Sequence, residues 1–161
     1  MLRLHGRREI DPNIIDKVMR TICAIANNGK GRAGTILIGV ADKEADANRI
    51  VSLDGVTPRK VGRRFVVGVN REAQSLGETP ERYAARWKEA IRTSGLDDGL
   101  KGSVLASLTH SDYYGLGVIV IRIPEQQKVS LFSGKAYARE GDETVEVANP
   151  ALLLDLPQRF I

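Results

Sequence analysis

The sequence predicts a mixed α/β (α+β) domain in which two main helices pack on a single mixed sheet. Three observations lead there. Two segments, at 11–26 and 80–94, carry apolar residues at helical spacing behind a proline-led start. Two short apolar runs, "TILIGVA" and "LGVIVIRI", read as buried strands. A length of 161 residues, with 42% hydrophobic and 27% charged content, suits one globular domain with one aliphatic core.

The elements follow in order. Asp11 is a good N-cap and Pro12 fits the first helical position. Ile14, Ile15, Val18, Met19, Ile22, Ile25 and Ala26 form the stripe of the first helix, and Cys23 falls on it as a small core residue. "NNGKGRAG" stops that helix, and "TILIGVA" follows as a strand. "DKEADAN" reads as a polar turn and "RIVSL" as a second strand, in a hairpin with the first. Across 55–71, Phe65, Val66, Val67 and Val69 favour a strand, whereas Gly62 and Gly68 weaken any regular element.

The second main helix is "PERYAARWKEAIRTSG". Thr79 caps it, Pro80 opens it, Gly95 ends it, and Tyr83, Ala84, Trp87, Ala90 and Ile91 form its buried stripe. "SVLASLTH" and "LGVIVIRI" read as strands joined by the turn "SDYYG". "KAYAR" and "TVEV" flank "EGDE" as a hairpin with Gly141 in its turn. Asn149 and Pro150 start a short last helix, "ALLLDL", stopped by Pro157. No repeat, low-complexity tract or linker intervenes, so residues 1–161 read as a single domain.

Charge and composition narrow the function. A net charge of +4 and a pI near 9.4 fit a polyanionic partner. One cysteine forms no intrachain disulfide and offers no zinc framework, and His5 and His110 stand far apart in sequence, so no transition metal or other cofactor is expected. No apolar run is long enough to span a bilayer, and "MLRLHGRREID" lacks the apolar core of a signal peptide. A cytoplasmic location without a membrane partner is the expectation.

Several stretches invite a chemical reading. Gly29, Gly31 and Gly34 fit G-x-G-x-x-G, but a dinucleotide fingerprint follows a strand and opens a helix. Here a helix precedes the glycines, and the negative end of its dipole faces the loop. A Walker A loop fails too, because Thr35 and Ile36 stand where Lys and Ser or Thr belong. The glycines therefore read as a connection, with Lys30 and Arg32 in solvent and able to meet a phosphate backbone. Asp42, Glu44 and Asp46 cluster after the strand, where carboxylates can hold Mg²⁺ or Mn²⁺, although turns are rich in Asp without any metal. From 55 to 71 there are five cations (Arg59, Lys60, Arg63, Arg64 and Arg71) and no acid. The helix that follows adds Arg82, Arg86, Lys88 and Arg92 against Glu81 and Glu89. Clustered guanidiniums suit phosphates, and they equally suit a solvated face. No Phe or Tyr platform is interleaved with these cations, so base stacking of the RRM kind is not indicated. His110, Ser111 and Asp112 are adjacent residues of a turn and form no triad. Tyr113 and Tyr114 read as cover for a sheet edge.

"VMRTICAIANNGKGRAGTILIGVADK" resembles the Schlafen-type AlbA domain, a family described as DNA-binding in bacteria and archaea. The matching positions are Ala24 to Asn27 (with Ile25 where the family has Phe), Gly34, and Ile38-Gly39-Val40 followed by Asp42. "GLGVIVIRIPEQQKVSLFSGKAYAREGDETVEVANP" is similar to the family's valine-rich strand, proline and arginine-glycine hairpin, here with Arg139 and Gly141. "LDGV" at 53–56 resembles the segment after the family's first hairpin, and about 57–100 is longer than the family core and matches it poorly.

The resemblance implies an AlbA/Schlafen-like fold and association with DNA or RNA. It also implies the three-carboxylate ribonuclease chemistry of eukaryotic relatives. Asp42 matches the third acid of that set, while the paired glutamates before the first helix are missing and Glu9 alone stands there.

The leading expectation is thus a prokaryotic domain, in a regulatory or defence system, that grips phosphates with Arg59, Lys60, Arg63, Arg64, Arg71, Arg139, Lys30 and Arg32. Two alternatives stand beside it. One is a degenerate ribonuclease using Asp42 with Glu44 or Glu9 and a divalent Mg²⁺ or Mn²⁺. The other is a protein-interaction or homo-oligomerisation module.

Overall fold

The structure of the chain, a computed structural model, describes residues 9–161; His5 and the rest of the opening stretch through residue 8 lie outside them. In chain order the first elements are α1 (Pro12–Ala26), β1 (Gly34–Ile38), β2 (Val40–Ala41), α2 (Glu44–Asp54), β3 (Arg59–Val61) and β4 (Arg64–Val66). Next come α3 (Asn70–Ser75), α4 (Pro80–Arg92), α5 (Asp98–Ser107), β5 (Thr109–Ser111) and β6 (Val118–Ile123). The chain closes with β7 (Tyr137–Glu140), β8 (Glu143–Glu146), α6 (Pro150–Asp155) and a 3-10 turn at Leu156–Phe160. This is the mixed α/β class expected, and no barrel closes among the described residues. The strands do not join one sheet. Among the described residues they form three small ones, in the orders β1-β6-β5, β2-β4-β3 and β7-β8.

The elements are shared between two compact units. One comprises Leu37–Trp87 and Thr109–Val120 with residues 9–11; the other comprises Pro12–Ile36, Lys88–Leu108 and Ile121–Ile161. β1, α4 and β6 run from one unit into the other.

In the second unit, α1 buries Met19, Ile22, Cys23, Ala24 and Ala26, the stripe read from its spacing. That face lies on the β7–β8 hairpin. The hairpin pairs Tyr137 with Glu146 through Glu140 with Glu143, and Gly141 sits in its turn as expected. Asn27, just past the helix, is fully buried. Its Nδ2 donates to the carbonyls of Ser130 and Tyr137, both at 2.9 Å, and its Oδ1 accepts from the Ser130 N–H at 2.8 Å. Beyond its place in the stretch that stops the helix, its side chain ties α1 to chain more than a hundred residues away. Ala136, Ala138, Val147 and Leu156 form a further apolar cluster.

In the first unit, Ala41, Ala47, Ile50 and Val67 make a core against which Val56 and Phe65 pack. The run expected as a single strand, "TILIGVA", breaks at Gly39, whose φ of 101° is open to glycine and closed to other residues. Two further expectations are corrected. "DKEADAN" and "RIVSL" are not a turn and a strand; most of both belongs to α2, which buries Ala47 and Ile50 at a three-residue spacing. "SVLAS" is not a strand either but the end of α5, which buries Leu100 and Val104 four residues apart. His110 and Ser111 lie in β5 rather than in a turn.

Candidate functional site

The β3–β4 hairpin of the first unit gathers four of the expected cations. Arg59 pairs with Val66, Lys60 with Phe65 and Val61 with Arg64, and the turn is Gly62-Arg63. Cross-strand partners share a face and neighbours along a strand alternate, so Arg59 and Arg64 lie on one face and Lys60 on the other. Residues 59–64 are all exposed. β3 is an edge strand of its sheet, where charge also discourages pairing with another chain. The Lys60 ammonium sits 5.6 Å from the centre of the Phe65 ring, its stem covering that half-buried side chain. Arg63 stands at the tip with no ion-pair partner among the described residues.

Arg64 is differently placed. Its Nε donates to the Asp42 Oδ1 at 2.9 Å, in a pair exposed on both sides. Asp42, the acid matched to the family motif, therefore faces a guanidinium. Glu44 is an exposed residue of the first turn of α2, where a carboxylate favours the helix dipole. Glu9 is exposed. Among the described residues no group of three His, Cys, Asp or Glu side chains could hold a metal ion.

Arg71 is not on the surface with the others. Its side chain is 7% exposed and binds the Asp54 carboxylate at 2.7 Å and the Glu72 carboxylate at 3.0 Å. The Tyr83 hydroxyl donates to the other Glu72 oxygen in a short hydrogen bond. Burial, and next the charge of Glu72, hold the Tyr83 phenol protonated far above its ordinary range. This network anchors α3 inside the unit, and it removes Arg71 from the phosphate-contact set. Three of the four cations of α4 are also engaged: Arg86 and Arg82 meet Glu78, and Arg92 meets Glu89. The hydrogen bond from Arg86 holds the Glu78 carboxyl below its ordinary range.

Three expected cations belong to the second unit. Lys30 and Arg32 are exposed in the glycine loop, which joins helix to strand in the order that excludes a dinucleotide site. Arg139 is half-buried, donates to the Thr144 hydroxyl at 2.9 Å, and lines a cavity of about 470 Å³ with Lys17 and Arg20. Asp16, Asp142 and Glu143 line the same cavity, so its charge is mixed.

Sequence reasoning missed the aromatic partner of the hairpin. The Arg59 guanidinium stacks on the Tyr114 ring, 3.6 Å from its centre. Tyr114 thus lies beside the edge strand β3 and is still 67% exposed. Phe65, within the basic run, is near Lys60, whereas Tyr114 stands about fifty residues further along the chain. A pair so distant in sequence leaves no local signal.

A family model described as Schlafen, AlbA_2 matches residues 7–148, most of the 161-residue chain. The chain belongs to that family. Comparison with curated proteins and with solved structures finds no match. Among the described residues no helix is long and apolar enough to cross a membrane.

Proposed function

We propose that this Schlafen AlbA_2 domain binds DNA or RNA through its phosphate backbone, using the β3–β4 hairpin as a charged finger. The carrying observation is the exposure of Arg59, Lys60, Arg63 and Arg64 on both faces and the tip of one hairpin, with a single acid, Asp42, as their ion-pair partner among the described residues. The family assignment and the basic pI support the same reading. Lys30 and Arg32 are secondary candidates in the other unit.

Each phosphate contact releases condensed counterions, so affinity falls as salt rises. Titration of labelled duplex and single-stranded oligonucleotides at two salt concentrations tests this. The double variant Lys60→Ala, Arg63→Ala should reduce the duplex salt slope by about two. Absent or salt-insensitive binding refutes the proposal.

A further inference from the structure

Val56 to Lys60, with Tyr113, Tyr114 and Leu116, line an open cleft of about 590 Å³ in the first unit. At its wall the Arg59 guanidinium lies over Tyr114, and Tyr113 meets Tyr114 edge-on, with ring centres 4.9 Å apart and planes at 85°. Tyr114 is two-thirds exposed, yet its φ is 50°, a conformation in which a bulky side chain is strained. The surrounding turn enforces that conformation. The Leu116 N–H donates to the Tyr113 carbonyl at 3.0 Å, and Asn70 Nδ2 donates to the Gly115 carbonyl at 2.8 Å. The Asn70 N–H donates to the Leu116 carbonyl at 3.0 Å, and Asn70 Oδ1 lies 3.3 Å from His110 Nε2 in β5. A rigid frame thus holds an exposed ring in a costly pose, and such strain concentrates at binding sites.

We infer that this cleft seats an unpaired base of single-stranded nucleic acid, stacked against the Tyr114–Arg59 pair, while the neighbouring phosphates meet the hairpin cations. The inference rests on the nucleic-acid reading above and narrows it. Planar bases stack on aromatic rings and on guanidinium planes alike. Inside a duplex both faces of a base are already covered, so only an unpaired one can use the platform. A cationic ligand is disfavoured, because the Arg59 guanidinium beside Tyr114 would repel it.

The test uses the full chain and fluorescence anisotropy with a labelled oligothymidylate or oligouridylate, each compared with an abasic strand of equal length and sugar. The intact strand should bind between about fivefold and about a hundredfold tighter than the abasic one. Tyr114→Ala should bring that ratio close to one, and Tyr114→Phe should preserve it. If Tyr114→Ala does not fold, Arg59→Ala supplies the same comparison. A base-dependent ratio in either set supports the seat and identifies its sugar. Equal binding of intact and abasic strands, or a ratio that survives loss of the ring, overturns the seat and leaves salt-dependent backbone binding standing. No binding of any strand or duplex overturns both.

Discussion

Replacing Asn27 by Ala should be the most damaging single truncation of a polar side chain in the second unit. The side chain makes three hydrogen bonds with backbone groups, at 2.8 to 2.9 Å. Asn27 is 0% exposed, Ser130 4% and Tyr137 5%, so water has no easy route to the groups left behind. Each bond contributes about 1 kcal/mol net, and each buried group left without a partner costs about 1–3 kcal/mol. Allowing for partial relaxation, the loss should be about 3–6 kcal/mol, a large share of the roughly 5–15 kcal/mol that stabilises a typical domain. The assay is urea unfolding of wild type and variant, followed by circular dichroism and by the fluorescence of Trp87, which lies in the other unit. Coincident transitions license a two-state treatment. Asn27→Asp serves as a second variant: it keeps an acceptor for the Ser130 N–H but turns an oxygen toward two carbonyls. It should be no more stable than the Ala variant at neutral pH, and its deficit should shrink in acid as the carboxyl gains a proton to donate. A loss below about 1 kcal/mol for Asn27→Ala would refute the claim that these bonds clamp the unit.

Other outcomes follow from the same structure. Arg71→Met removes the guanidinium beside the Asp54 and Glu72 carboxylates, and should cost more than about 1 kcal/mol in denaturant unfolding. Gly29→Ala should destabilise by more than about 1 kcal/mol, since φ is 110° and the new Cβ would stand 2.6 Å from the Arg159 carbonyl. Burial pushes the Cys23 thiol up to about 11, so iodoacetamide at about pH 8 should label it only after unfolding; rapid labelling of the native chain would contradict the burial. The depressed Glu78 carboxyl contributes stability that is full above its ordinary value of 4.5 and lost as pH falls through its lower native value. Arg86→Met should therefore lower stability near neutrality and converge with wild type in acid, as read by acid titration of circular dichroism.

What could be read from the sequence, and what could not, divides along a physical line. α1 and α4 were legible because each joins a proline at the first helical position to a long amphipathic stripe. The β7–β8 hairpin was legible because its turn chemistry is local. α2 and α5 were misread because short segments with clustered Ile, Val and Leu fit either period, and burial of Ala47 with Ile50, or Leu100 with Val104, decides between them only once the core exists. The basic run was visible as charge, but its division was not. Arg71 turned inward because Asp54 and Glu72 wait inside, and Arg64 met Asp42 across the sheet. The Tyr114–Arg59 stack joins β3 to a turn far along the chain, and nothing in the sequence around either residue announces it.

The way the chain threads its two units also bears on how the protein is made. Each unit draws on separated stretches of sequence, with the last stretch of one ending at Val120 and of the other at Ile161. A ribosome therefore cannot release the first unit complete before Val120 has emerged, or the second before Ile161, and no contiguous stretch contains one unit without part of the other. Proteolytic dissection or a genetic split into halves should yield pieces that fold only when they are present together.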